Sequence, residues 1–156
     1  MNSEEKAIYI IAHNQFMVIS TADSAGKPWV SPVGFVYDDD YNLYWVSSKD
    51  ALHSTNIKAR PEVAIVIYGQ MPEGNMDGVY VDAAACELTD LHEIQHAIDL
   101  FAIRRPQPDR FATHSTADVT GQANWRMYKA TVTQYSKRSD STANGQAITV
   151  REIVEL

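Results

Sequence analysis

A chain of 156 residues, 45% of them hydrophobic, with 20 acidic against 13 basic side chains and a net charge of -7, has the composition of a single globular domain. That charge argues against the basic face with which nucleic-acid binders release counterions, and against adhesion to an anionic membrane. No apolar run approaches the ~18 residues of a spanning helix, residues 1–6 lack the basic start of a signal peptide, and the single cysteine, Cys86, cannot close an intrachain disulfide, which together point to a reducing cytoplasm.

In chain order, Ser3–Asn14 has the spacing of an amphipathic helix, with Ser3 as cap and Ala7, Ile8, Ile11 and Ala12 facing inward. Phe16–Thr21 is a strand, and residues 22–27 form a turn in which Gly26 can take a left-handed angle. Pro28–Tyr37 is a second strand with Val30, Val33, Phe35 and Val36 as core candidates. Pro32 inside it has no N–H for a ladder, which requires an edge, an end or a bulge. Two readings stay open: an ordinary bulge, or an interrupted strand whose Ser31-Pro32-Val33 backbone faces the edge of a planar ligand. Asp38-Asp39-Asp40 is a solvated acidic connection.

Asn42–Gly69 is the organising stretch. Leu43–Val46 is a strand, and Ser47-Ser48-Lys49-Asp50 breaks it with residues that cap and turn. A short helix over Asp50–Arg60, with Leu52, Thr55 or Asn56, and Ala59 on one stripe, ends before Pro61, and Glu62–Ile67 is a strand apolar enough to be buried on both faces. The first N–H groups of that helix lack partners and sit at its positive end. Around them lie two hydroxyls (Ser47, Ser48), the Lys49 ammonium, the His53 imidazole and, on the same face, the Asn56 amide. This set suits a phosphate. It also suits an ordinary N-cap with a solvated face, and both readings stand.

Gln70–Gly78 reads as a mobile linker and Val79–Leu88 as a strand containing Cys86, whose neighbours Ala85 and Glu87 offer no cation to lower its pKa, so a buried, inert thiol is expected. A helix capped by Thr89 or Asp90 runs to about Arg104 with Leu91, Ile94, Ala97, Ile98 and Phe101 buried, and Pro106 and Pro108 stop it. Residues 107–124 are irregular, a surface lid or partner contact. Trp125–Tyr135 is a strand, Ser136–Gly145 a polar loop, and Gln146–Val154 a last strand. On the third helix, His92-Glu93-Ile94-Gln95-His96 matches the zinc-protease pattern, with His114 or Asp118 as a conceivable third ligand. The apolar stripe, however, turns both histidines towards solvent, and Asp99 and Ala102 stand where the extended motif needs Gly and His. The expected fold is mainly β with flanking helices: a six- to seven-stranded antiparallel barrel. Rossmann and P-loop glycine patterns are missing from the sequence.

The run FMVISTADSAGKPWVSPVGFVYDDDYNLYWVSSKDALHSTNIKARPEVAIVIYG, followed by GVYVDAAACELTD before a helix, resembles the pyridoxamine 5′-phosphate oxidase-like family, the FMN-binding split barrels. The match covers roughly the first two-thirds of the chain, and its most specific part is Ser47–Ala64. The resemblance implies a split barrel, a homodimer with two FMN sites at the subunit interface, and a small-molecule substrate. It implies that Ser47, Ser48 and Lys49 meet the phosphate and ribityl chain, with His53 as a basic phosphate ligand supported by Asn56. Ser31, Pro32 and Val33 would line the isoalloxazine edge through their backbone, with Val46 nearby and Trp125 covering the ring from the partner subunit. The Arg-Lys pair of the B6 oxidases is Leu52-His53 here, and their C-terminal Arg/His pattern does not occur in Ala147–Leu156. The implied activity is therefore a flavin-dependent oxidation or reduction of an unidentified small molecule rather than of vitamin B6. Alternatives are a non-catalytic flavin- or haem-binding storage or stress protein and, more remotely, a zinc hydrolase built on His92, Glu93 and His96.

Overall fold

The computed structural model describes residues 1–105 and 115–156. Helix α1 (Ser3–His13) leads into strands β1 (Phe16–Ala22), β2 (Pro28–Gly34), β3 (Val36–Tyr37) and β4 (Leu43–Ser48). Then come α2 (Leu52–Ala59), β5 (Glu62–Gln70), β6 (Met76–Glu87), α3 (Leu91–Arg104), a 3-10 turn at Thr116–Val119, β7 (Trp125–Ala143) and β8 (Gln146–Val154). The strands form one curled antiparallel sheet in the order β2-β1-β5-β6-β7-β4-β3, with β8 added to the far end of β7. This is the expected split barrel.

Two apolar clusters hold it together. The barrel interior gathers Met17, Ile19, Leu43, Trp45, Ile65, Ile67, Val79 and Val81 under the α1 residues Ala7, Ile10 and Ile11. Outside, α3 lays Ile94, Ala97, Ile98 and Leu100 against Val36, Tyr44 and Met127. β4 therefore sends Leu43 and Trp45 inward and Tyr44 outward, and is covered on both faces. That role was expected of β5, which instead alternates, with Val63, Ile65 and Ile67 buried and Ala64 exposed. The apolar sequence VAIVI is a one-sided strand because no helix among the described residues packs on its outer face.

Trp45 is fully buried and stacked on Tyr128 with centroids 5.5 Å apart, and its indole N–H has no partner among the described residues. Trp45→Ala should cost about 3–5 kcal/mol of stability. Trp45→Phe keeps most of the packing and removes the unpaired donor, so it should cost less than about 1.5 kcal/mol. Urea unfolding of the two variants checks the contrast.

Several local expectations are corrected. Asn2, not Ser3, caps α1, accepting from the Glu5 N–H at 2.8 Å while the Glu5 carboxylate accepts from the Asn2 N–H. The buried stripe is Ala7, Ile10 and Ile11, whereas Ile8 and Ala12 are exposed. Pro32 lies in a regular ladder opposite Val18, on a strand at one end of the sheet order. An edge has no second neighbour to miss its N–H, so no bulge is needed; Val30 on the same strand is exposed. Instead of a linker over 70–78, Gln70 and residues 76–78 are paired strand and residues 71–75 a tight hairpin turn, closed by the Met71 N–H to the Asn75 carbonyl at 2.8 Å. Ser136–Ala143 continues β7 instead of looping, because β8 pairs with it from Tyr135↔Val154 to Ala143↔Gln146. In α2 the buried residues are Ser54, Asn56 and Ile57; of the expected stripe Asn56 is buried, and Leu52, Thr55 and Ala59 are exposed. In α3 Leu91 is exposed and Leu100 is buried in its stead. Cys86 is exposed on the outer face of β6, although partial burial and Glu93 still push its thiol up from the ordinary value. Pro106, Pro108, His114 and residues 107–114 of the proposed lid lie outside the described residues.

Candidate functional site

The fold brings six elements to one place. β4 stops at Ser48, where a turn is closed by the Ala51 N–H to the Ser48 carbonyl at 3.1 Å and the Asp50 N–H to Ser48 Oγ at 3.3 Å. α2 begins immediately afterwards with Ala51 as its N-cap, a residue whose side chain accepts nothing. The helix is fastened instead from behind. Ser54 Oγ donates to the Ser48 carbonyl at 2.8 Å, and buried Asn56 donates to Thr21 Oγ1 of β1 at 3.1 Å.

Above this helix start lies a solvent-open cleft of about 420 Å³. Its walls are Phe16 from β1, Pro32 and Val33 from β2, Val46 from β4, Phe101 from α3 and Trp125 from β7. Its polar lining is Ser47, Ser48, His53 and Arg105, and no carboxylate lines it among the described residues. Gly34 also borders the cleft, and a Cβ there would collide with the Arg105 guanidinium, so glycine lets the arginine lie against β2. Arg105 is further held near the Phe16 ring, 5.6 Å from its centroid.

His53 is the most constrained polar group here. Its Nε2 lies 2.8 Å from Ser47 Oγ and its Nδ1 3.2 Å from Ser31 Oγ, while Ser31 Oγ also accepts from the Trp29 indole N–H at 2.9 Å. Burial lowers the His53 pKa, so the ring is held neutral rather than basic. The site expectations divide accordingly. Pro32, Val33, Val46, Ser47, Ser48, His53 and Trp125 line the cleft. Ser31 stands behind it, bonded to His53, and Asn56 is buried with Thr21. Lys49 is exposed and lines a separate cleft with Asp50, Ser54, Arg126 and Tyr128. Trp125 reaches the cleft of its own subunit.

Phe16, Gly34, Ala51, Phe101 and Arg105 line the cleft without having been expected there. Arg105 carries a local signal, a cation at the end of a helix, which complements the helix dipole and by itself says nothing of a cleft. The zinc motif meets a different environment. His92, Glu93 and His96 are exposed on α3, Glu93 lies 3.9 Å from Lys129, and His96 stands edge-on to Tyr44. Asp118 accepts from the Ser115 N–H at 2.8 Å, and the described residues contain no group of three ligands placed for a metal. No helix among them is long and apolar enough to cross a membrane.

Comparison with known proteins agrees with this architecture. No curated protein sequence matches the chain. HutZ, the heme storage protein of Vibrio cholerae, superposes with a TM-score of 0.68 at 19% identity, over 86% of this chain and 92% of that one. A FAD-binding protein of Mesorhizobium loti gives 0.64 at 20% identity, over 85% and 91%. A heme binding protein of Mycobacterium smegmatis gives 0.69 at 16%, over 96% of this chain and 58% of that one. At such identities these likenesses speak for the fold alone. The sequence profile for pyridoxamine 5′-phosphate oxidase matches residues 3–123, which include every strand and helix contributing to the cleft except β7. The chain belongs to the pyridoxamine 5′-phosphate oxidase family, with its split-barrel fold.

Proposed function

We propose that the chain binds FMN in the cleft where β2, β4, α2 and α3 meet, and serves as a flavin-dependent oxidoreductase of a small molecule. The carrying observation is the lining of the cleft: aromatic and aliphatic walls together with hydroxyls, an imidazole and an arginine, and no carboxylate among the described residues. A planar apolar ring with an anionic tail complements that surface, and the volume lies within the range of small-ligand sites. Ser47, Ser48 and the uncapped first turn of α2 would hold the phosphate, while Pro32, Val33, Phe16 and Trp125 would bound the ring. The flavin supplies hydride and single-electron transfer when bound; the chain supplies position and exclusion of water.

A second copy of the chain would complete the site. Phe16, Trp29 and Val30 are exposed apolar residues of β1 and β2. β8 exposes eight of its nine residues, including Ile148, Val150 and Ile153. A two-stranded ribbon bare on both faces is marginal alone, which favours a homodimer that covers it. The exposed, unpaired Cys86 suits a reducing cytoplasm.

Haem is the second reading, favoured by the heme proteins of the same fold and by an imidazole in the cleft. Against it, both nitrogens of His53 are already engaged by serines, so ligation to iron would break one of those bonds. Titrating the purified protein separately with FMN, followed by flavin fluorescence, and with hemin, followed by absorbance, decides between them. Saturable quenching by FMN with no shifted hemin band is the expected result. A tight hemin complex without flavin binding would overturn the assignment.

A further inference from the structure

We propose that His53 is a proton-accepting positioning residue: it is neutral in the ligand-free cleft and takes up a proton when a phosphate dianion docks beside Ser47. The inference rests on the flavin reading above and adds what charge state the site must adopt.

The bonding around the ring carries it. An indole N–H can only donate, so Trp29 fixes Ser31 Oγ as an acceptor while leaving Ser31 its own O–H. A neutral imidazole has one donor and one acceptor nitrogen. If Nδ1 accepts from Ser31, Nε2 donates to Ser47, and the Ser47 hydrogen is free for the cleft. In the other tautomer Ser47 spends its hydrogen on the ring and offers the cleft only a lone pair, which repels an anion. Imidazolium donates to both serines, so it always releases the Ser47 hydrogen and adds a charge. Both consequences favour an anion. An anion must, by linkage, favour the proton.

The surroundings leave room for that uptake. β1 and β2 present Phe16, Trp29 and Ser31 to this region, none of them charged. Lys49 and Asp50, from the turn before α2, line the other cleft. On β6 and β7, Glu87 and Arg126 pair with each other at 3.1 Å. Arg105 of α3 is the cation sharing the cleft. Burial alone, with no charged neighbour contributing, holds the ring's proton affinity down. A dianion at the α2 start therefore supplies the counter-charge that the cleft lacks.

Calorimetry of FMN and riboflavin binding at pH 7.5, in two buffers of different ionisation heat, reads the proton. At that pH a phosphate monoester has already lost its second proton, and a cationic site could only hold it off. FMN should draw a substantial fraction of a proton from the buffer and riboflavin none. His53→Gln should bind FMN without uptake and about tenfold more weakly. In the wild type, nitrogen NMR of the His53 ring should show a neutral imidazole without ligand and an imidazolium in the FMN complex. FMN binding without uptake, or the same ring state with and without FMN, overturns the inference and leaves the flavin reading intact. Failure of both flavins to bind overturns both.

Discussion

Ala51→Asp is expected to make the protein more stable and a poorer FMN binder. Ala51 is the N-cap of α2 and its side chain caps nothing; an aspartate there would accept from the first-turn N–H groups and add about 1 kcal/mol. The same carboxylate would enter a cleft lined by no other among the described residues. A like charge some 5 Å from the phosphate opposes it by about 3 kcal/mol at an effective dielectric near 20, less after salt screening. FMN affinity should fall roughly thirtyfold or more while riboflavin is much less affected. Ala51→Ser, which caps without charge, should keep most of the stability gain and most of the affinity. Thermal unfolding and flavin titrations on the three proteins check this. Undiminished FMN binding by the aspartate variant would place the phosphate elsewhere. An uncapped helix start is a stability defect of the kind a binding site tolerates.

The second large effect belongs to a buried ion pair far from the cleft residues in sequence. Lys137 of β7 is 2% exposed and donates to Asp77 at 2.8 Å and to the Gly78 carbonyl at 3.3 Å. Asp77→Ala strands that ammonium with one long bond and should cost about 3–5 kcal/mol. Lys137→Met should cost less, about 1–2 kcal/mol, because the Asp77 side chain is 20% exposed and keeps the Gly78 N–H at 2.7 Å. The pH dependence has a definite sign. Burial pushes the Asp77 carboxyl up, but the bonds from Lys137 and the Gly78 N–H, with the charges of Lys137 and Lys6, outweigh it and hold the carboxyl below its ordinary 3.8. The pair's stabilisation is thus full above that value and is lost as pH falls through the lower, folded-state one. Unfolding free energies of wild type and Asp77→Ala should be furthest apart near neutrality and converge in acid. A constant gap would show that the carboxylate is not what stabilises the hairpin.

Both effects show where local and global information part. Ser47 to Asn56 announces a strand, a turn and a helix start, because capping residues, an apolar run and a following proline are local chemistry. The same letters could not show that Lys49 turns to a different cleft or that Asn56 is spent on Thr21, 35 residues away. They could not show that His53 is neutral either, since burial decides it, in a pocket shared with a serine 22 residues distant. In the same way β5 and β4 read alike as apolar runs, and only the docking of α3 made β4 the strand covered on both faces.

By itself, the sequence determined the family, the antiparallel barrel and the strand-turn-helix order of the stretch we propose as the anion site, because periodicity and turn chemistry act over a few residues. The tertiary structure decided the membership of the cleft. Phe16, Gly34, Phe101 and Arg105 stand on three different elements and meet there only when the sheet curls and α3 crosses its outer face. It also decided the setting of each charge: burial holds the imidazole that bridges two serines neutral, and Lys137 is sealed against Asp77. Proton affinity depends on solvent and partners in space, and the order of residues along a chain specifies neither until it folds.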